Sequence, residues 1–400
     1  MKNKGKNDYL IHRILDKIEG SSVDWRKETS GNRSLKIQQE DFNRAGKSEL
    51  LEEARMLEQR GLIQIKWLEY GNDIEKITYR LEQAGQFYEL LGLISKWERL
   101  ETERQILCKW SEQAQTGWLR AYYEDQVASL EKGKPSLDLS KYGDQLFICL
   151  NALEKLEEPV YQRVFSVSVL GNTKVFENVL RTRTVSILSA YHPDVDEAMN
   201  DKEILSQVYL EEYAQELAIK GNLTIILNGK EISLSDFVYG TVLNTETLRH
   251  AVIPEHQEIQ KIITVENKAN YVSMPYEEGT LIVFSHGFFS PLECKFLRLI
   301  LSVIPNAEFY HTGDLDYGGI RIFRFMKEKV FARVKPFHMD AGSFERYRLA
   351  GAGIPLEEKK RQKLLALDVP ELEELKACIL QYGLEIEQEN LLEGRQETHV

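Results

Sequence analysis

Three acidic residues stand at positions where buried strands are expected to end. Asp314 and Asp316 follow the apolar run 307–310, with one residue between them and glycines on both sides. Glu266 follows an earlier strand-like run, 261–265. Carboxylate oxygens are the hard ligands that Mg²⁺ and Mn²⁺ prefer, and a substrate phosphate can complete the shell of such an ion. The pattern therefore predicts a metal site suited to phosphoryl-transfer chemistry.

The spacing within the Asp-x-Asp segment indicates how its side chains are used. Asp314 and Asp316 should project to the same side of an extended segment and share one ion, because side chains alternate along a strand. Glu266 would hold a second ion or act as general acid or base. The nearby glycines are expected to let a phosphate backbone approach closely, since they lack a Cβ atom. A lone Asp-x-Asp is more often an exposed turn, but the upstream strand-end glutamate favours the metal site.

The elements that must position these acids alternate between strand-like and helix-like segments from about residue 258 onward. The expected strands are 261–265, 280–284, 307–310 and 331–337. This alternation predicts a parallel sheet with right-handed crossovers and a ligand site at the carboxyl ends of its strands. Asp340 follows the last strand and should either cap the next helix or support the metal shell.

The 400 residues exceed one ordinary domain, and four regions are expected. Residues 1–85 show the helix, helix, hairpin order of a winged-helix-like unit, which either binds DNA or serves as a protein adaptor. Residues 86–157 indicate a helical arm for packing or dimerisation. Residues 158–255 indicate a second winged-helix or CAP-like α+β unit, and residues 256–400 the α/β catalytic domain.

Local patterns give the middle unit its expected elements. The run 164–170 is rich in β-branched residues and predicts a strand. The sequence LTIILNGKEISL carries Asn228-Gly229 between alternating apolar residues, which predicts a hairpin. Short helices are expected near 235–239 and over 245–252.

Charge and composition exclude some classes of protein. The net charge of −12 argues against a simple DNA-coating protein, because such proteins are usually basic. Residues 321–363 contain 12 Lys and Arg against 5 Asp and Glu, whereas 364–400 contain 2 against 9. The basic stretch either holds a nucleic-acid backbone or is an ordinary solvated face. No apolar run approaches the roughly 18 residues of a membrane span, and the scattered cysteines fit a reducing cytoplasm.

Three basic residues are candidate DNA contacts. Lys174 follows the sequence GNT at an expected helix start, where free backbone donors favour a phosphate; an ordinary surface lysine is the alternative. Arg321 and Arg324 lie three residues apart on one expected helix face, so they could grip a phosphate together. Arg324 could instead pair with Glu328 on the same helix.

The strand-end glutamate and the later Asp-x-Asp resemble the TOPRIM signature of topoisomerases, primases and some nucleases. More narrowly, VENKANYVSMP (265–275) and FYHTGDLDYGGIRIF (309–323) resemble the C-terminal domain of the JetD family, the nuclease subunits of Wadjet anti-plasmid systems. SVSVLGNTKVFE (166–177) and GLEIEQENLL (383–392) resemble further elements of that family. The earlier residues match it only in architecture.

The resemblance implies that Glu266, Asp314 and Asp316 are the catalytic and metal-binding acids. Glu387 and Glu389, in the last of the similar segments, are candidates for supporting the site, although by residue type alone they are solvated acids. The resemblance also implies a homodimer that cuts duplex DNA, is similar to the DNA-cleaving subunit of topoisomerase VI, and works with an SMC-type loop-extruding complex and its kleisin.

Two other functions stay open. In the topoisomerase relatives a tyrosine attacks the phosphate, but none of the 18 tyrosines can be placed at that position. A metal-activated water is therefore the expected nucleophile. The other alternative is a non-catalytic DNA-binding adaptor whose acids only fold the loop. The expected function is a Mg²⁺-dependent (or Mn²⁺-dependent) DNA endonuclease of plasmid defence, whose own affinity for DNA is weak because of its negative charge.

Overall fold

The computed structural model describes residues 8–21, 23–27, 31–68 and 71–388. The chain forms two compact units, one ending at Gly143 and the other beginning at Asp144. The expected mixture of helices and strands, with parallel pairing in one sheet, is confirmed. Within the described ranges, no helix is long and apolar enough to cross a membrane.

The first unit combines a small antiparallel sheet with helices. Its strands are β1 (Asn32–Lys36), β2 (Ile63–Leu68) and β3 (Asp73–Arg80), in the order β1-β3-β2. Its helices are α1 (Tyr9–Glu19), α2 (Gln39–Ala45), α3 (Lys47–Gln59), α4 (Ala84–Leu91), α5 (Lys96–Gln113), α6 (Gly117–Glu131) and α7 (Leu137–Tyr142), with a 3-10 turn at Leu81–Gln83. Leu10 and Ile14 of α1, Leu50 and Leu57 of α3, and Ile77 of β3 belong to one buried core. Their helical spacing explains why α1 and α3 fold onto the sheet.

The second unit alternates helices and strands. Its helices are α8 (Asp144–Leu153), α9 (Gln162–Leu170), α10 (Arg181–Tyr191), α11 (Asp201–Ser206), α12 (Thr245–His250), α13 (Lys268–Ser273), α14 (Pro291–Val303), α15 (Tyr317–Lys329), α16 (Ala341–Leu349), α17 (Glu358–Ala366) and α18 (Glu373–Tyr382). Its strands are β4 (Val160–Tyr161), β5 (Leu210–Glu211), β6 (Glu216–Gly221), β7 (Thr224–Leu227), β8 (Lys230–Ser233), β9 (Thr241–Asn244), β10 (Lys261–Val265), β11 (Thr280–Phe284), β12 (Glu308–Thr312), β13 (Lys335–Pro336), β14 (Ile354–Pro355) and β15 (Leu384–Glu385).

A six-stranded mixed sheet with the order β13-β12-β10-β11-β6-β9 organises this unit. β10 pairs in parallel with both β11 and β12, whereas β6 and β9 are antiparallel additions at one side. The chain passes from β10 to β11 on one side and then returns to β12 on the other. Such a reversal opens a crevice at the carboxyl ends of the strands, where ligands bind in open α/β sheets.

The central strand β10 is apolar almost throughout because both of its faces are covered. On one face, Ile263 and Val265 pack with Tyr271 of α13. On the other face, Thr264 Oγ1 and His311 Nδ1 share a hydrogen bond of 2.8 Å. Burial lowers the pKa of His311 to about 3, so its ring is neutral.

The strand predicted at 164–170 is wrong, because Gln162–Leu170 forms helix α9. Phe165 and Ser166 are buried on one face of that helix. The Phe165 ring packs edge-on against the ring of Phe176 at 5.9 Å. The β-branched residues beside them face outward, so this packing overrides the local preference for a strand.

Other local predictions for this unit have mixed outcomes. The hairpin is confirmed: β7 and β8 pair around Asn228 and Gly229, whose φ angles of 51° and 74° suit a tight turn. The predicted helix 245–252 exists as the shorter α12, whereas 235–239 forms turns. The strand predicted at 331–337 is reduced to β13, where Pro336 lacks a backbone donor for pairing.

A buried lysine joins the antiparallel part of the sheet to the helix that follows Glu266. Lys220 of β6 is 3% exposed. Its Nζ donates to the carbonyl oxygens of Tyr271, Val272 and Met274 at 3.2, 3.4 and 2.7 Å. It thereby satisfies carbonyl groups at the end of α13, which would otherwise be unpaired.

We expect Lys220→Met to lower the free energy of unfolding by about 2 kcal/mol, because buried carbonyl groups lose a charged donor. Lys230→Met changes an exposed residue of β8 and should alter stability by less than about 0.5 kcal/mol. Urea unfolding followed by circular dichroism measures both variants. Equal effects of the two substitutions would contradict the role assigned to Lys220.

Candidate functional site

The carboxyl ends of β10 and β12 bring two of the predicted acids together. Val265 and Thr312 face each other at the last paired position of the two strands. The N–H of Glu266 donates to the Thr312 carbonyl at 3.0 Å, and the N–H of Asp314 donates to Glu266 Oε2 at 3.2 Å. Glu266 and Asp314 therefore leave the sheet side by side.

Asp316 lies beside this pair but serves a different purpose. Its Oδ1 accepts a hydrogen bond from the N–H of Gly319 at 2.7 Å and so caps α15. Its Oδ2 lies 3.9 Å from Nζ of Lys360. Leu315, between the two aspartates, is fully buried and pairs with Ile386. Asp316 is thus turned toward the start of α15.

Glu266 and Asp314 line a cavity of about 310 Å³. The other lining residues are Ala198, Glu203, Asn267, His286, Gly287, Phe288, Gly318 and Ile322. Glu203 of α11 adds a third acid that the sequence did not predict. Among the residues that the structure describes, no three histidine, cysteine or carboxylate side chains converge closely enough to hold a metal ion by themselves.

Burial and like charges disfavour ionisation of the acids. Burial, together with the charges of Asp314 and Asp316, raises the pKa of Glu266 from its ordinary value of 4.5 to about 8. Burial also raises the pKa of Asp316; Glu385 adds to the shift and Lys360 opposes it. A bound cation would favour the ionised forms of these acids, because its charge dominates the local field.

The donors of this cavity fit Mg²⁺ or Mn²⁺. Both ions prefer hard oxygen ligands, and Mg²⁺ keeps several of its waters. One or two protein carboxylates with a substrate phosphate are therefore sufficient. Glu266 and Asp314 are the residues that would hold such an ion.

Gln388, which the sequence analysis did not single out, ties the loops of the site together. It is 1% exposed. Its N–H donates to Asp314 Oδ1 at 2.6 Å, and its Nε2 donates to Thr312 Oγ1 at 2.9 Å. Its Oε1 accepts from the N–H of Asn267 and its carbonyl oxygen from Nδ2 of Asn270, both at 2.9 Å. One residue thus fixes the ends of β10 and β12.

The same C-terminal segment brings a buried acid, Glu385, which the sequence analysis also missed. Glu385 is 2% exposed and accepts hydrogen bonds from the N–H of Tyr317 at 3.4 Å and from Lys360 Nζ at 2.9 Å. Glu387 is exposed, and Glu389 lies outside the described residues. The resemblance of GLEIEQENLL to a family element was the available signal for this segment, and the supporting role of Glu387 and Glu389 stays a prediction.

The glycines of the Asp-x-Asp segment have a structural explanation. A Cβ atom on Gly313 would lie 2.2 Å from Glu266 Oε2, and one on Gly319 would lie 2.1 Å from the carbonyl oxygen of Asp314. At these two glycines, the space where a phosphate was expected to approach is therefore occupied by atoms of Glu266 and Asp314. Gly318 does line the cavity.

The two arginines predicted to contact DNA are engaged within the protein. Arg321 Nε donates to Asp196 Oδ2 at 2.9 Å. Arg324 Nε donates to Glu328 Oε1 at 2.6 Å, which is the alternative that the helix spacing allowed. Either arginine would have to exchange its partner for a phosphate in order to bind DNA.

The remaining predicted residues lie away from the cavity wall. Lys174 is exposed, and its N–H donates to Asn172 Oδ1 at 2.9 Å. Asp340 caps α16 by accepting from the N–H of Ser343 at 2.8 Å, as the capping alternative predicted. Neither residue is among those that line the cavity.

Comparison with known proteins gives two findings. Residues 223–398 match the family described as Wadjet protein JetD, C-terminal. The whole chain is similar to a Wadjet protein JetD from Bacillus cereus (strain Q1), with 27% identity over 376 residues that cover 90% of each chain. The family match contains Glu266, Asp314 and the C-terminal segment that carries Gln388.

We expect Gln388→Ala to lower the free energy of unfolding by about 2 kcal/mol, because Thr312 Oγ1 and the N–H of Asn267 lose their hydrogen bonds to the buried Gln388 side chain. Gln381→Ala removes an exposed side chain of α18 and serves as the matched control. Differential scanning calorimetry compares the two variants. Unchanged stability of the Gln388 variant would contradict its role in fixing the loops.

The raised pKa of Glu266 predicts a pH-dependent difference between the wild type and Glu266→Gln without divalent cations. The folded state binds this proton more tightly, so the associated stability is complete below pH 4.5 and is lost as pH rises through about 8. Glu266→Gln does not titrate at this position, so its stability does not fall for this reason as the pH rises. Its Tm in EDTA should match that of the wild type near pH 5 and exceed it at pH 9. A constant Tm difference across this range would refute the prediction.

Proposed function

Because the chain belongs to the JetD family of Wadjet proteins, we propose that it is a divalent-metal-dependent DNA endonuclease of a plasmid-defence system. The observation that carries this proposal is the placement of Glu266 and Asp314 at neighbouring parallel strand ends, facing one cavity. Ligands bind at this edge of α/β sheets, and carboxylates there suit the metal ions used in phosphoryl transfer.

We propose a domain organisation that accompanies this activity. β10 to β13, with α13 to α15, would form a TOPRIM-type catalytic domain within residues 256–400. The helices α1 to α3 and the hairpin β2–β3 would make residues 1–85 a winged-helix unit. Residues 86–157 would be a helical arm, and residues 158–255 a CAP-like unit.

In this proposal each acid has a separate role. Glu266 and Asp314 would hold Mg²⁺ or Mn²⁺, and Asp316 would add negative charge while it caps α15. When bound, such an ion supplies positive charge for the phosphate and lowers the pKa of a coordinated water. Gln388 keeps Asp314 in place by donating its N–H to Oδ1.

Hydrolysis by water is proposed in preference to attack by a tyrosine. Tyr317 directly follows the Asp-x-Asp segment, but it is 6% exposed and its hydroxyl donates to Glu197. Its burial keeps this hydroxyl from a DNA backbone. A covalent protein–DNA adduct, trapped by denaturation during cleavage, would favour the topoisomerase-like alternative.

The proposed substrate is duplex plasmid DNA in the cytoplasm, and the proposed partners are an SMC-type complex with its kleisin and a second copy of the chain. The net charge of −12 supports dependence on such partners, because phosphate neutralisation supplies most nonspecific DNA affinity. The ion pairs of Arg321 and Arg324 reduce the free positive charge further.

The test is cleavage of supercoiled plasmid in Mn²⁺, alone and with the partner complex. Glu266→Gln and Asp314→Asn keep the shape of each side chain and one of its two acceptor oxygens but remove the negative charge. We expect each to reduce the cleavage rate at least about 100-fold, in the range typical of an essential acid or base. Asp316→Asn can still cap α15, so any change in its cleavage rate measures the contribution of the negative charge of Asp316.

The matched control is Glu308→Gln, at the opposite end of β12 from Asp314, which should cleave as the wild type does. Mn²⁺ should also raise the Tm of the wild type and of the control, but not that of the two acid variants. Absence of both cleavage and a Mn²⁺-dependent Tm shift in the wild type would favour the non-catalytic adaptor.

A further inference from the structure

His286 lies on the wall of the acid cavity, just beyond the carboxyl end of β11. β11 and β12 flank β10 on opposite sides, so His286 and Asp314 reach the cavity from the two neighbours of the central strand. The His286 side chain is 35% exposed and is therefore accessible to a ligand that enters the cavity.

A buried carboxylate orients the imidazole. His286 Nε2 lies 3.0 Å from Oε1 of Glu293, a residue of α14 that is 1% exposed. Burial is the largest influence on the pKa of His286 and lowers it, but the charge and the hydrogen bond of Glu293, the charge of Glu203 and a backbone hydrogen bond together make the net shift upward. A protonated imidazole has two N–H donors, and Glu293 accepts from one of them.

The backbone around His286 is held in an uncommon conformation. The φ angle of His286 is 47°, in the left-handed region that side chains with a Cβ seldom adopt. Glu203 Oε1 accepts from the N–H of Phe288 at 3.1 Å, and it would lie 2.3 Å from a Cβ atom on Gly287. This loop is therefore fixed from α11. Backbone strain of this kind is concentrated at functional sites.

His286 differs in charge from the other ionisable residues of the cavity. Apart from His286, the ionisable residues that line the cavity are Glu203, Glu266 and Asp314, and all three are acids. A phosphodiester is negatively charged and would be repelled by them. Among the described residues that line the cavity, His286 is the side chain able to carry positive charge.

We propose that His286, oriented by Glu293, is a catalytic residue that contacts the phosphate of the DNA substrate. It donates an N–H to a phosphate oxygen and stabilises the charge that develops there during hydrolysis. No proton is transferred in this role. The inference rests on the proposed nuclease function.

His286→Asn tests this inference. Asparagine tolerates a left-handed backbone, but it carries no positive charge and its shorter side chain ends before the position of the Nε2 atom that contacts Glu293. We expect the cleavage rate at saturating plasmid to fall about 100-fold, as for loss of one stabilising donor. Mn²⁺ affinity, measured by electron paramagnetic resonance, should stay at the wild-type value. The matched control is His338→Asn, because His338 has a φ of 58° but is exposed and outside the cavity.

Cleavage by His286→Asn at the wild-type rate would overturn the role of His286 and leave the nuclease proposal intact. If the wild type does not cleave even with its partner complex, the nuclease proposal fails. In that case, fluorescence anisotropy with a short labelled DNA duplex in Ca²⁺ measures DNA binding and tests whether His286 contacts a phosphate. Weaker binding by His286→Asn than by His338→Asn supports the phosphate contact, and equal binding overturns it.

The positioning role of Glu293 is tested by a double-mutant cycle. Glu293→Gln should slow cleavage, and the double variant should be no slower than His286→Asn alone, because both changes remove the same interaction. Additive losses would show that Glu293 acts instead through its capping contact with the N–H of Ser290, and would overturn the positioning role.

Discussion

The second unit depends on holding several carboxylates at one sheet edge against their mutual repulsion. Burying acids close together costs free energy unless their oxygens find donors. Backbone N–H groups supply these donors. The N–H of Asp314 donates to Glu266, the N–H of Gly319 donates to Asp316, and the N–H of Gln388 donates to Asp314. Each hydrogen bond requires one particular loop conformation. The loops after β10 and β12 are therefore shaped by the acids that they carry, and the remaining negative charge favours a cation.

This constraint explains why a distant segment completes the site. Asp314 and Gln388 are 74 residues apart in the sequence, yet their hydrogen bond and the pairing of Leu315 with Ile386 fix the Asp-x-Asp loop. The same pairing places Glu385 beside Lys360, whose ammonium group offsets part of the added negative charge. The described geometry of the Asp-x-Asp loop therefore depends on contacts with this C-terminal segment.

The predictable parts of this protein are those whose signals are local. Glu266 and Asp314 could be placed together because each ends a strand of a parallel sheet, and Asn228-Gly229 specifies its hairpin through backbone conformation alone. The run 164–170 could not be assigned correctly, because the packing of Phe165 decides its structure. The segment around Gln388 could be noticed only through its resemblance to a family element, because the role of Gln388 lies in contacts with residues far away in the sequence.

The order of the strands also governs how charge is distributed across the crevice. β10 lies between β11 and β12, so groups at the ends of its two neighbours face each other across Glu266. One neighbour contributes Asp314, and the other contributes His286, which is paired with the buried Glu293. Asp314 and His286 therefore lie on opposite sides of Glu266, and Glu203 adds a further acid beside the loop of His286. Under the proposed function, a phosphate of the substrate would contact both His286 and the metal ion held by Glu266 and Asp314, and would thereby bridge the central strand.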